Sequence, residues 1–120
     1  MIHNKIASHR KLIQPGYTDG HIKIVTKEQK VDEFNTPLPN QVTEQIIGKY
    51  AFRTVAIHSN DIYEFQDRQI ELKTQVRIPF VFGLHTGMTG VIAGNYYNIV
   101  KVFSDFAKQE VELLLAEERV

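Results

Sequence analysis

Cysteine is absent from this 120-residue chain. That excludes a disulfide framework, a thiolate metal site and a cysteine nucleophile, and it fits a reducing compartment. An excess of charge is also absent, with 14 Lys and Arg against 14 Asp and Glu. No bulk field therefore draws the protein to nucleic acid or to an anionic membrane, although a local basic patch stays open. No apolar run approaches the roughly 20 residues that span a bilayer. The opening MIHNKIASHRKLIQPG lacks the apolar stretch of a secretory signal. A soluble intracellular protein is expected. There is no internal repeat and no low-complexity tract, and the length suits one domain.

The motifs of catalysis and metal binding are missing too. The histidines are His3, His9, His21, His58 and His85. None is spaced to place two imidazoles on one helical face, and HExxH does not occur. Gly83, Gly87 and Gly90 fit neither a P-loop nor a dinucleotide fingerprint, so turn geometry accounts for them. Ser59 and Ser104 lack a nucleophile-elbow context. Asp61, Glu64 and Asp67 recur every third residue, as an acid/base pair or a cation site would. The adjacent Arg68 and the lack of a second carboxylate cluster favour a solvated acidic face instead. Tyr96, Tyr97, Phe80 and Phe82 would suit base stacking, but Arg77 and Lys101 are their only basic neighbours. Burial in a core is the simpler reading. No catalytic residue, metal or cofactor is expected, and the chain reads as a binding or assembly module rather than an enzyme.

What is present is strand patterning. Residues 1–20 read as an N-terminal arm ending in PGYTDG, with a short strand at Lys11–Gln14 open, before a β domain over residues 21–120. His21–Gln29 alternates Ile22, Ile24 and Thr26 with His21, Lys23 and Val25. Asp32–Gln41 reads as a turn-rich connection, because Pro37 and Pro39 oppose a regular strand, and VTEQIIGKY is expected to pair weakly. Tyr50–His58 is a second strand. Ser59–Gln69 is expected to be a long loop carrying a short helical turn capped by Ser59 or Asn60. Ile70–Pro79 has the cleanest alternation in the chain, and Gly90–Val102 reads as a hairpin turning at Gly94-Asn95.

The last segment is ambiguous. Phe106, Glu110, Val111, Leu114 and Leu115 satisfy a helix, whereas Val111, Leu113 and Leu115 satisfy a strand. A strand over Glu110–Glu117 is expected, because a small barrel needs a closing strand. The fold class is therefore all-β, a small antiparallel barrel or sandwich. Its expected core is Ile22, Ile24, Val55, Ile70, Leu72, Val76, Ile78, Val91, Ile99, Val102, Val111, Leu113 and Leu115.

Four stretches in order resemble one family. They are IKIVTKEQKVDEFNTPLP, YAFRTVAIHSNDIYEFQDRQIELKTQVRIPF, GMTGVIAGNYYNIVKV and QEVELLLAEE. The family is the head–tail joining, or head-closure, proteins of tailed bacteriophages, and the likeness covers about residues 21–118. Many members have a Trp where this chain has Tyr50 or Phe52, and lack the first twenty residues, so the arm's contacts do not carry over. The resemblance implies a small β-barrel that assembles as a ring, twelve-fold in the connector, beneath the portal or adaptor. Such a ring retains packaged double-stranded DNA without reading its sequence and offers a surface to the tail or tail-completion protein. It implies a virion location after assembly in the host cytoplasm, with no membrane. It also implies that the loop Ser59, Asn60, Asp61, Ile62, Tyr63, Glu64, Phe65, Gln66, Asp67, Arg68 and Gln69 points into the channel. Two alternatives stand beside it: another neck or tail-completion protein, and a small OB-like binder of single-stranded nucleic acid.

Overall fold

A computed structural model describes residues 16–118. The possible strand at Lys11–Gln14 and most of the arm lie outside the described residues. Six strands form: β1 (Gly20–Val31), β2 (Pro37–Val55), β3 (Leu72–Pro79), β4 (Thr89–Ile92), β5 (Asn95–Asp105) and β6 (Glu110–Glu117). One helix, α1 (Ser59–Asp67), lies between β2 and β3. Every neighbouring pair is antiparallel, in the order β1-β2-β3-β6-β5-β4. The ring closes where Lys23–Val25 of β1 pairs with Thr89–Val91 of β4. The all-β class expected from alternation is the class observed.

The core follows from period-two alternation. Ile22, Ile24, Phe52, Val76, Ile78, Met88, Ile99, Val111, Leu113 and Leu115 form one buried cluster. Val91 is buried as expected, but Val55, Ile70, Leu72 and Val102 are only half-buried. β2 turns Phe52, not Val55, fully inward. Ile24 and Val25 are both 0 % exposed, so β1 is buried on both faces there, and the register shift opposite them leaves Ile47 of β2 as the extra residue. Gly90 sits where the wall is tight, since a Cβ there would lie 2.8 Å from Ile22 Cδ1.

The two readings of the last segment have one cause. β6 spans Glu110–Glu117 as expected. Leu113 and Leu115 face the barrel interior, while Leu114 and Ala116 face outward and are each only 1 % exposed. A strand buried on both faces loses its alternation and matches a helical period by accident.

β2 is the main departure from expectation. It starts at Pro37 and runs for 19 residues. Its register with β1 extends from Phe52 opposite Gly20 to Pro37 opposite Val31, yet β3 meets it only over Arg53–Val55. Among the described residues, the part of the hairpin from Thr26 to Gln45 is a two-stranded ribbon outside the ring. The prolines are tolerated because the outer edge of β2 meets no strand there. The ribbon contributes to an overall extent of 61 × 38 × 25 Å. The Asp32 carboxylate fixes its turn by accepting the N–H groups of Phe34 and Thr36 at 2.8 and 2.9 Å.

The β4–β5 turn falls one residue earlier than expected. Ile92 pairs with Asn95, leaving Ala93 and Gly94 as the loop at φ +50° and +80°. Both signs match the primed turn whose twist suits a two-residue hairpin.

Candidate functional site

The segment Ser59–Gln69 is more ordered than a loop with one helical turn. Ser59 through Asp67 form a regular helix whose first turn hangs from His58, the carbonyl of which accepts the N–H groups of Asp61 and Ile62. His58 is the N-cap residue and gives no side-chain cap, so the expected caps Ser59 and Asn60 both lie inside the helix. At the far end the Gln69 N–H bonds Gln66 O and the Ile70 N–H bonds Phe65 O, a Schellman closure. Gln69 takes the left-handed position at φ +59°, where glycine is usual.

Helical spacing divides the segment's side chains. Asp61 and Phe65, one turn apart, are each 4 % exposed. The Asp61 carboxylate accepts a 2.8 Å bond from Lys101 Nζ on β5. That bond raises the Lys101 pKa and ties the helix to β5. Ile62 and Tyr63 remain 45 % and 68 % exposed. Glu64 and Arg68 form an exposed i, i+4 pair at 2.9 Å, and the Arg68 guanidinium lies 5.2 Å from the Phe65 ring centre. Asn60, Gln66 and Asp67 face solvent. The acidic face foreseen over Asp61, Glu64 and Asp67 is thus split, with one member buried and paired. An open apolar groove of about 290 Å³ beside the helix is lined by Ile57, Ile62, Gln66, Ile70, Glu71 and Leu72.

The outer wall of β2, β3 and β6 carries a charge cluster that sequence spacing does not reveal, because its members come from distant strands. Glu110 accepts from Arg53 at 2.8 Å, from Tyr17 Oη at 2.7 Å and from Arg77 at 3.1 Å. Burial would raise the Glu110 pKa, but the bonds from Arg53, Tyr17 and Arg77 outweigh it and hold the carboxyl at about 2. Burial, then the bond to Glu110, pushes the Tyr17 phenol up to about 12. Arg77 also donates to Glu112 at 2.7 Å and to Asp105 at 3.0 Å. Burial opposes its charge, and the bonds to Asp105, Glu110 and Glu112 more than restore it. A small recess lined by His58, Arg77, Lys101, Phe103 and Glu112 contains two of these cations, and both are neutralised by carboxylates.

Among the described residues two apolar surfaces stand exposed. On the ribbon, Phe34 is 80 % exposed, and Val31 and Val42 are exposed on the strands that lead to it. On the barrel, half-buried Phe80 touches Phe82 edge-on at 4.7 Å and Phe106 at 5.2 Å between ring centres. Phe82 is exposed by 81 % and Phe106 by 64 %. Of the aromatics considered for base stacking, Tyr97 is half-buried, and Tyr96 lies 5.0 Å beneath Lys27 Nζ. Among the described residues no group of three or more His, Asp or Glu is placed to hold a metal ion.

No family model matches the chain, and no curated protein matches it. Among solved structures it is similar to the solution structure of protein SF1141 from Shigella flexneri 2a, at a TM-score of 0.62 and 18% identity. That match covers 88% of this chain and 96% of the other. At that identity the likeness carries the fold alone.

Proposed function

We propose that the chain is a structural subunit of a tailed-phage neck. In this reading copies assemble as a ring beneath the portal or its adaptor, retain the packaged DNA and present a docking surface to the tail. The proposal starts from the order of the sequence motifs within a small barrel. The observation that carries it furthest is the ribbon Thr26–Gln45, on which Val31, Phe34 and Val42 are exposed among the described residues. A two-stranded hairpin alone is marginal in water, so such a ribbon gains its stability from a neighbour. The chain performs no catalysis in this reading, and it needs neither metal nor cofactor.

The channel-facing role of Ser59–Gln69 narrows to particular side chains. Phe65 and Asp61 anchor the helix to the wall, leaving Ile62 and Tyr63 to face the axis. Neutralised cations suit a channel past which DNA must slide, because free Lys or Arg would bind phosphate. The same pairing weighs against the single-strand binder, whose aromatics need free cations beside them. The purified protein is monomeric or weakly associating, with the ring forming on its platform where neighbours raise the effective concentration. The test is to image particles assembled without the chain. Full heads that leak DNA and carry no tails support head closure, whereas tailed particles that hold their genome overturn it.

A further inference from the structure

We infer that the ribbon tip of one copy docks on the phenylalanine cluster of the next copy, with Phe34 as the anchor inserted against Phe82 and Phe106. The inference rests on the ring reading and names its contact. β1, β3 and β5 run in one direction, since each antiparallel step reverses the chain and β2 or β6 lies between them. The ribbon tip, Phe80–Phe82 and Phe106 therefore sit at the same end of the barrel. Within one chain the tip does not cover the cluster, because Phe34 and Phe82 are both about four-fifths exposed.

Geometry sends the tip sideways. Barrel strands tilt by roughly 35–45° to the barrel axis. A ribbon that prolongs β1 and β2 leaves at that slant, toward one neighbour and away from the other. Thr26–Val31 extends it by roughly 20 Å at the usual strand rise. A ring axis relates the copies by rotation, so a tip that reaches one neighbour's cluster makes a heterologous contact that repeats around the ring.

Charge agrees. The tip VDEFNT carries Asp32 and Glu33, with Lys30 before it. Residues 80–104 contain no carboxylate, and Phe106 lies between Asp105, which is paired with Arg77, and exposed Lys108. An acidic aromatic tip thus meets an aromatic patch whose adjacent carboxylate is already neutralised.

The absence of cysteine makes the test clean. Phe34→Cys chains are mixed with Phe82→Cys chains at up to about 1 mM, the effective concentration that tethering supplies. Disulfides are then counted against those of an exposed control, Asp67→Cys with Phe82→Cys. The inference expects the Phe34–Phe82 hetero-disulfide to dominate. It also expects Phe34→Ala, placed in a chain with Lys108→Cys and probed against Glu33→Cys, to raise the concentration needed for cross-linking by about thirtyfold, as loss of an interface hot spot does. Dominant Phe34–Phe34 links, links to Ile62→Cys in the helix groove, or no excess over the control overturn it. Because these experiments use purified protein, they are independent of the particle imaging. Links without a neck phenotype refute the phage reading alone, and a neck phenotype without links refutes the contact alone.

Discussion

Replacing Glu110 with Gln keeps the shape of the side chain and removes its charge. The carboxyl is 5 % exposed and accepts from Arg53, Arg77 and Tyr17. Its pKa falls from an ordinary 4.5 to about 2 in the folded protein. Each unit is worth about 1.4 kcal/mol, so the ionised form contributes about 3 kcal/mol at pH 7 by linkage. Screening of the partly exposed Arg53 brings this toward about 2 kcal/mol. The sign follows from the depressed pKa: the contribution is fully present above 4.5 and is lost as pH falls through about 2. At pH 3 less than half of it remains, about 1 kcal/mol. Arg77 keeps Asp105 and Glu112 as partners, so the variant does not strand a buried guanidinium. Urea unfolding of the wild type and Glu110→Gln at pH 7 and pH 3 measures both terms. The expected result is a gap of about 2–3 kcal/mol at pH 7 that shrinks by more than half at pH 3. An equal gap at both pH values refutes the account of the cluster.

Phe65→Ala truncates a buried aromatic and is expected to destabilise by about 3–5 kcal/mol, whereas exposed Tyr63→Ala stays within about 0.5 kcal/mol in the same chemical denaturation. Amide exchange checks the same point: Phe65 lies on a helix closed at both ends, so slow exchange is expected over Ile62–Arg68, and exchange at the intrinsic rate contradicts the packing. Gln69→Gly relieves a left-handed backbone that costs a side-chain-bearing residue about 1–2 kcal/mol, and is expected to raise the thermal midpoint by a few degrees. Gly90→Ala drives a methyl toward Ile22 and is expected to cost about 1–3 kcal/mol, read by the urea midpoint.

The barrel was legible wherever one strand face was buried and the other wet. Ile22, Ile24, Val76 and Ile78 announced themselves by alternation, and the closing strand Glu110–Glu117 falls where it was expected. Legibility failed where tertiary context changed the rule. The ribbon half of β2 is mostly exposed among its described side chains, so it shows no alternation, and its prolines mislead because they lie on an unpaired edge. The burial of α1 was hidden because Phe65 is buried apart from the barrel's core cluster. The Glu110 cluster joins residues up to 93 positions apart, a distance no local spacing encodes. Among the segment's residues, Asp61 illustrates the limit: its acidic pattern suggested solvent, and its partner Lys101 lies on another strand.

The central claim concerns where copies of this chain sit, and imaging the neck of intact particles by electron cryomicroscopy tests it directly. The account predicts a ring of six-stranded barrels between the portal or adaptor and the tail, with the helix carrying Ile62 and Tyr63 toward the axis and each ribbon reaching one neighbour. A neck built entirely of other chains, with this one absent from the particle, contradicts it.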